Sequence, residues 1–370
     1  MEFGLTEFQQ MIKNSSNEFL SQECDMSFVK EMETSKDGYT QEFWKQIVSQ
    51  GWTGISLPEE YGGTGGSFLD LAVLIENMGR YLAPGPLLST LVLGGLTVLE
   101  GGTEEQKQEL LPLITNGELI ITLGLSEESC DYSFDHIKTI ATREGSSYLI
   151  TGTKLFVPYG HMADLIIVPA VTEELNVKLF LVNTKASGVE ISPMLMMSAD
   201  RQTEIQLTNV EVGSDKILGE KNDSLTVLNN AFIRIIIAKC LEMTGSLTAT
   251  LDITLEYVKQ RSQFGRSIGS FQAIQHHCSN IAIDLEGCRH VSYQAAWALS
   301  EGMDSKKYAH MAKSWLNEAS QRICMLTHQS HGAIGFTKDY DLQMHTRWLK
   351  SQELLYGNED YHKEQYINLI

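Results

Sequence analysis

The stretch "SLTVLNNAFIRIIIAKCLEMTGSLTATLDITLEYVKQR" (residues 224–261) runs for 38 residues without a proline, and Gly245 is its one weak point as a helix. A single helix of that length spans roughly 57 Å. Two more long periodic segments follow, "FQAIQHHCSNIAIDLEGCRHVSYQAAWALSEG" (271–302) and "SKKYAHMAKSWLNEASQRICMLTHQSHG" (305–332). Helices this long with short connections predict an antiparallel bundle over residues 226–370.

Upstream the periodicity changes. Residues 116–225 contain short β-branched runs separated by turn residues: "LIITLGLS", "IKTIATREGSSYLITGTKLFVP", "ADLIIVPAV", "VKLFLVNT", "GVEISPM" and "TEIQLTNVEV". No helix-length pattern interrupts them, so an antiparallel barrel or sandwich is expected. Residues 1–115 are helical again, with apolar residues at i, i+3, i+4 spacing in "TEFQQMIKNSSNEFLSQ", "QEFWKQIVSQGW", "FLDLAVLIENMGRYL" and "TEEQKQELLPLITNG". Thr103 followed by Glu104 to Gln106 reads as a helix start with acidic residues in its first turn. The class is α+β, ordered as an N-terminal all-α domain, a middle β-barrel or sandwich domain and a C-terminal four-helix bundle.

Composition narrows the function. The chain has 370 residues, 42% of them hydrophobic and 20% charged, as in a soluble globular protein. A net charge of −19 argues against nucleic acid as partner, because phosphate binding needs a cationic footprint. No apolar run reaches eighteen residues, so no membrane span is expected. The N-terminal "MEFGLTEFQQMIKN" lacks a basic n-region and an apolar h-region, which points to a cytoplasmic protein. Six cysteines (24, 130, 240, 278, 288 and 324) show no CxxC pair and read as thiols of a reducing compartment. His276, His277 and Cys278 are consecutive and point in different directions on a helix, so no metal site is expected. Gly62-Gly63-Thr64-Gly65-Gly66 lacks the Lys-Ser/Thr ending of a phosphate-binding loop.

Five stretches carry a resemblance: "GWTGISLPEEYGGTGG" (51–66), "GTEEQKQELLPLITNGE" (102–118), "YLITGTKLFVPYGHMADLIIV" (148–168), "YVKQRSQFGRSIGSFQAIQH" (257–276) and "HGAIGFTKDYDLQMHTRWLKSQELLYG" (331–357). In this order and spacing, the chain resembles the flavin-dependent acyl-CoA dehydrogenases along nearly its whole length. The resemblance implies FAD, an acyl-CoA thioester substrate, assembly as a dimer or tetramer, and an electron-transferring flavoprotein as acceptor. It implies α,β-desaturation, in which a base removes the proton α to the thioester carbonyl and a hydride leaves the β carbon for the flavin.

By resemblance, Arg261, Gln263 and Phe264 in "RSQFG" reach the FAD of a neighbouring subunit, where a guanidinium fork suits pyrophosphate. Gln272 and Gln275 match polar positions beside the bundle interface. Gln329, Gly332 and Gly335 match the segment along the adenosine half of a neighbour's FAD, where glycine lets backbone come close. Leu125, Ser126 and Phe156 match the segments that cradle the chain's own flavin. There the sequence departs from the family: a Thr-Glu-Pro followed by small residues becomes "LSEESCDYSFD" (125–135), with Glu128, Asp131 and Tyr132 at the changed positions. Trp-Ile-Thr becomes Phe156-Val157-Pro158, and proline has neither hydroxyl nor N–H.

The catalytic carboxylate is also displaced. Tyr356 takes the family's Glu position and Asn358 the following Thr position; the alternative location, 26 residues before Arg261, is Ile235. Tyr356 is a poor base, since a phenol titrates near 10. Its backbone N–H, which the resemblance aims at the thioester oxygen, survives the change. Glu353 is three residues away and faces elsewhere on its turn. Glu242, seven residues after Ile235, shares its helix face but lies roughly 10 Å along. It is a candidate base, or a bundle carboxylate paired with a neighbouring cation. Three functions stay open: the base-lacking subunit of a heteromeric enzyme paired with a second acyl-CoA dehydrogenase chain, a self-sufficient homo-oligomer with a displaced base, and a flavin-free acyl-CoA-binding protein.

Overall fold

The computed structural model describes residues 4–129, 132, 134–198, 200–219 and 223–370. Helices α1 (Glu7–Glu23), α2 (Met26–Thr34), α3 (Gln41–Ser49) and α4 (Phe68–Tyr81) come first. A π-helical segment, Ser89–Gly95, leads into α5 (Leu96–Gly101), and α6 (Glu104–Thr115) follows. Seven strands then alternate with turns: β1 (Ile121–Leu123), β2 (Ile140–Glu144), β3 (Ser147–Pro158), β4 (Leu165–Thr172), β5 (Val177–Asn183), β6 (Val189–Met194) and β7 (Gln202–Gly213). The remainder is α7 (Ser224–Gln260), a two-residue ribbon of β8 (Ser262–Gln263) and β9 (Arg266–Ser267), α8 (Gln272–Ser300), α9 (Lys306–His331), α10 (Leu342–Leu354) and α11 (Glu359–Ile367). This is a three-domain fold of helices, curled sheet and helices.

Spatial clustering gathers the chain into two compact units. One holds Met1–Glu33, Phe68–Ala83 and Ile236–Ile370; the other holds Thr34–Ser67 and Pro84–Ile235. In the first unit α4 meets α7 backbone to backbone. A Cβ added at Gly79 would lie 1.9 Å from the Glu242 carbonyl oxygen, and one at Gly245 would lie 1.8 Å from that of Glu76. The weak point in the long helix is therefore the place where another helix touches it. Glu76 is used again: its carboxylate accepts from Arg289 Nε at 3.2 Å and from the Tyr293 hydroxyl at 2.6 Å, both on α8. Arg322 of α9 then forks onto Asp284 of α8 at 2.9 Å through both Nε and Nη2.

In the second unit the sheet runs β1-β4-β2-β3-β7-β6, with β5 paired to β4. It is mixed rather than wholly antiparallel, because β4 lies parallel to both β1 and β2. Those pairs join strands that are not consecutive in sequence, so no hairpin signal announces them. Thr103 caps α6 in a reciprocal box with Gln106, whose amide also reaches the Ile217 carbonyl (2.8 Å) and accepts from Gly219 N–H (3.1 Å). A Cβ on Gly63 would lie 2.1 Å from the Leu57 carbonyl oxygen, so that glycine serves close packing of the 51–66 loop.

At the heart of this sheet Lys154 is fully buried, its stem against Gly124 and its Nζ 2.7 Å from Glu127 Oε1. Glu127 also accepts from the Lys138 N–H (2.6 Å), the Thr139 N–H (3.1 Å) and the Thr139 hydroxyl (2.6 Å). Burial raises the Glu127 carboxyl, but the Lys154 charge and these donors outweigh it and hold the group below the usual carboxylate range. The pair is charged near neutrality.

Among the described residues α7 is long and apolar enough to cross a membrane, yet 78% of its most apolar window is buried within the protein. Cys24, Cys240, Cys278, Cys288 and Cys324 are free, and burial pushes the thiols of all but Cys278 up to about 12. Cys130 and Asp131 lie outside the described residues.

Two stability measurements check these contacts. Gly245→Ala forces a methyl into the α4 backbone and is expected to lower the unfolding free energy by about 3 kcal/mol; an unchanged denaturation midpoint would show that the helices do not touch there. Lys154→Met leaves a buried carboxylate without its cation and is expected to cost about 3–5 kcal/mol, with much of the loss recovered when Glu127→Gln is added. Additive losses in that double-mutant cycle would deny the coupling.

Candidate active site

The turn after α10 is built from backbone constraints. Leu355 closes the helix through its N–H to the Ser351 carbonyl at 3.2 Å. Tyr356 follows with φ +61°, a left-handed conformation that a bulky residue seldom adopts, and it is buried. Gly357 continues at φ +107°, and Asn358 caps α11 by accepting from the Tyr361 N–H at 3.0 Å. Tyr356, which the resemblance sets at the family's carboxylate position, is thus a buried aromatic on a strained turn. Asn358, which it sets at the Thr position, is an N-cap.

The nearby carboxylates are occupied. Glu353 accepts from Lys350 Nζ and Gln321 Nε2, each at 2.9 Å. Glu242 Oε2 lies 2.7 Å from Lys239 Nζ, both side chains largely buried, and the same ammonium stands 5.8 Å from the centre of the Trp348 ring. Ile235 is buried and apolar.

The "RSQFG" segment stands out from its unit as the β8–β9 ribbon. Arg261, Gln263 and Phe264 are all exposed, and Phe264 has φ +55°. Phe264 meets Phe271 edge-on at 6.0 Å, and the Arg266 guanidinium sits 4.1 Å from the Phe271 ring centre. Gln272 and Gln275 are exposed at the start of α8, where Gln275 Nε2 donates to the Gly269 carbonyl at 3.1 Å. His277 faces Ser330 of α9 at 3.4 Å. Gln329 and Gly332 are exposed as well, Gly332 at φ +67°, while Gly335 is packed against His328 and His331. These exposed groups, a guanidinium, amides and bare backbone, are of the kinds that suit a dinucleotide's pyrophosphate and adenosine.

In the sheet unit Ser126 pairs with Leu155, the residue before Phe156. The Leu155 N–H donates to the Ser126 carbonyl at 2.9 Å, and Leu125 and Ser126 are buried. Phe156 has φ +52°, and its N–H points at the Met194 sulfur, 3.4 Å away. Pro158 is paired to Gln202 across β3 and β7. Tyr132, also at positive φ, stacks on Phe232 at 5.0 Å with a 19° interplanar angle, and Phe134 meets Phe232 edge-on. Glu128 is exposed. Where a flavin cradle calls for small residues and hydroxyl or N–H donors, the described residues offer aromatic faces, a proline and a carboxylate beside the Ser126 hydroxyl. The fit is good for the exposed groups of the helical unit and poor here.

Two networks escaped the sequence reading. One is the Lys154–Glu127 pair, which joins residues 27 positions apart across strands. The other is a stripe of His310, Lys313 and Asn317 on α9, whose polar i, i+3, i+7 pattern imitates a solvent face but is buried.

Sequence models of the acyl-CoA dehydrogenase family match the chain in order: the N-terminal domain at residues 6–118, the middle domain at 122–210 and the C-terminal domain at 227–368. The protein named "Probable acyl-CoA dehydrogenase YngJ" of Bacillus subtilis (strain 168) is 30% identical over 374 residues, covering 97% of each chain. The ChsE4–ChsE5 complex from Mycobacterium tuberculosis contains a chain of 25% identity that superimposes with a TM-score of 0.90 over 100% of this chain and 98% of its own. The Tcur3481–Tcur3483 steroid ACAD gives 29% identity and a TM-score of 0.89 over 98% of this chain and 97% of its own. With all three domain models matched in sequence and the fold retained throughout, the chain belongs to the acyl-CoA dehydrogenase family.

Proposed function

We propose that this chain is the base-lacking subunit of a heteromeric acyl-CoA dehydrogenase, supporting α,β-desaturation of an acyl-CoA thioester by building part of a partner's active site. The observation that carries this reading is the state of the carboxylates. Tyr356 fills the base position as a buried phenol, and Glu242 is tied to Lys239 at 2.7 Å in a side-chain environment with little access to water. A general base must reach its proton and be free to take it. Glu242 is engaged by Lys239 and largely buried, which speaks against that role, and the i,i+3 pairing favours that of a structural ion.

The asymmetry of the cofactor segments supports the same reading. Arg261, Gln263, Phe264, Gln329 and Gly332 are exposed and available to a neighbouring subunit's FAD. Among the described residues around Ser126 and Phe156, Glu128, Tyr132 and Pro158 stand where the resemblance expects small or hydroxyl residues for the chain's own FAD. FAD, when bound, accepts the substrate hydride; this chain's residues would hold its pyrophosphate and adenosine from across the interface. Similarity to the ChsE4–ChsE5 complex is in keeping with a partner subunit. In this scheme electrons leave for an electron-transferring flavoprotein, and the partner chain supplies the carboxylate.

Expression alone and together with an adjacent-encoded acyl-CoA dehydrogenase chain tests this. The single chain is expected to be colourless and inactive, and the pair yellow and active. A yellow, active single chain would return the enzyme to a self-sufficient homo-oligomer. A pair that binds acyl-CoA without flavin would make it a binding protein. In an active pair, Glu242→Gln is expected to leave turnover within about twofold while lowering the unfolding free energy by about 1.5–3 kcal/mol, as a hydrogen bond to a charged group weakens. Loss of turnover in that variant would make Glu242 the base.

A further inference from the structure

Behind the Tyr356–Gly357 turn lies a buried polar cluster with no part in the chemistry above. α9 presents His310, Lys313 and Asn317 at i, i+3 and i+7, one stripe of the helix, with exposures of 6%, 0% and 0%. Lys313 Nζ donates to the Gln352 carbonyl and to Asn317 Oδ1, both at 2.7 Å. Asn317 Nδ2 donates to the Gly357 carbonyl at 3.3 Å. From α11, fully buried His362 places Nε2 3.0 Å from the Tyr356 carbonyl and Nδ1 2.8 Å from His310 Nδ1.

These two histidine contacts fix the protons. A carbonyl oxygen only accepts, so His362 Nε2 carries a hydrogen. Burial, with Lys313 and His310 beside it, holds the His362 ring well below its ordinary value, so the ring is neutral and its Nδ1 is bare. His310 Nδ1 must then be the donor. The line of donors runs from His310 to His362 to the Tyr356 carbonyl. The turn needs such support, because Tyr356 is left-handed. Space is reserved for it too: a Cβ on Gly357 would lie 2.8 Å from His362 Nε2 and 2.5 Å from Tyr361 Cδ1.

We propose that His362 oriented by His310, together with Lys313 and Asn317, are positioning residues that lock the peptide planes around Tyr356 so that the turn presents its backbone to the thioester carbonyl of an acyl-CoA. The use of the turn goes beyond the reading under Proposed function, because it gives this chain an acyl-CoA pocket of its own; the clamp itself depends on neither.

The full chain, or the pair if the chain requires it, tests both parts. Imidazole ¹⁵N spectra at pH 7 are expected to show His362 protonated at Nε2 only and His310 at Nδ1 only. A cationic ring or the opposite tautomers would overturn the donor line. The groups that face the pair are Lys306 and Lys313 on α9 and the Tyr361 ring on α11. Both lysines and burial favour neutral rings, and burial with Lys306 brings His310 down to about 4. A depressed histidine stabilises the fold above its unfolded value near 6.5, and that contribution fades as pH falls toward 4. Protonated His362 would set two N–H groups face to face. Hydrogen exchange at residues 355–361 is therefore expected to accelerate between pH 6 and 4, beyond its intrinsic pH dependence.

Variants separate support from bulk. His362→Leu removes the donor, while His362→Gln keeps an amide that can donate to Tyr356 and accept from His310. Exchange at residues 355–361 is expected to rise at least tenfold in the Leu variant and stay within twofold in the Gln variant, with octanoyl-CoA affinity falling in parallel. Equal exchange in all three proteins would remove the clamp. Faster exchange with unaltered octanoyl-CoA affinity would remove the positioning role. A wild type that does not bind octanoyl-CoA at all would remove the use of the turn while leaving the reading under Proposed function standing, and the imidazole spectra would still decide the clamp.

Discussion

Two helices in this protein touch through bare backbone. α4 and α7 approach until the Glu242 carbonyl occupies the place of a side chain on Gly79, and the Glu76 carbonyl that of one on Gly245. Contact of that kind has no slack, because peptide groups have no rotamers with which to yield. It fixes the height of one helix against the other. Glu76, at the contact, then holds α8 through Arg289 and Tyr293, and α8 holds α9 through Asp284 and Arg322. α9 in turn carries the stripe that reaches the Tyr356 turn. Registration passes from a pair of glycines to the turn by four successive helix contacts.

Two buried lysines show different ways of keeping a cation out of water. Lys154 is met by a carboxylate that is itself saturated with donors. Lys313 is met by a side-chain amide oxygen and a peptide carbonyl at 2.7 Å each. Burial lowers both ammonium groups to about 8, with Glu127 and, more weakly, Cys240 and Glu353 pulling the other way. Neutral dipoles stabilise a cation less than a full charge does, so Lys313 depends on the orientation of the carbonyls it holds as much as they depend on it.

Much of this was legible in the sequence, for reasons that can be named. The capping box at Thr103, the proline-free run of α7 and the alternation from helix to strand to helix depend on neighbours a few residues apart. The turn at "LLYGNED" was conspicuous because an expected residue type was absent from it. What stayed hidden needed distant partners. The parallel pairs of β4 join strands from different parts of the chain. The α9 stripe has the polar i, i+3, i+7 spacing of a solvated face, and only the packing of α10 and α11 over it turns those groups inward. The two compact units also interleave in sequence, since α1 and α4 join the C-terminal helices. Composition shifts along a chain cannot reveal that.

Several residues hold left-handed backbone without being glycine, among them Tyr132 and Phe156 in the sheet unit, and Phe264 and Tyr356 in the helical unit. All four are aromatic; Tyr132 stacks on Phe232 and Phe264 meets Phe271, contacts that help to offset such conformations. Gly357 stands apart from them. Its missing side chain is the room in which the His362 ring and the Tyr361 ring lie. Positions 357 and 361–362 therefore behave as one unit of substitution. A side chain in the turn meets those two rings and also a backbone angle of +107° that side chains disfavour, so smaller residues on α11 relieve only part of the cost and most variants at 357 fail for both reasons.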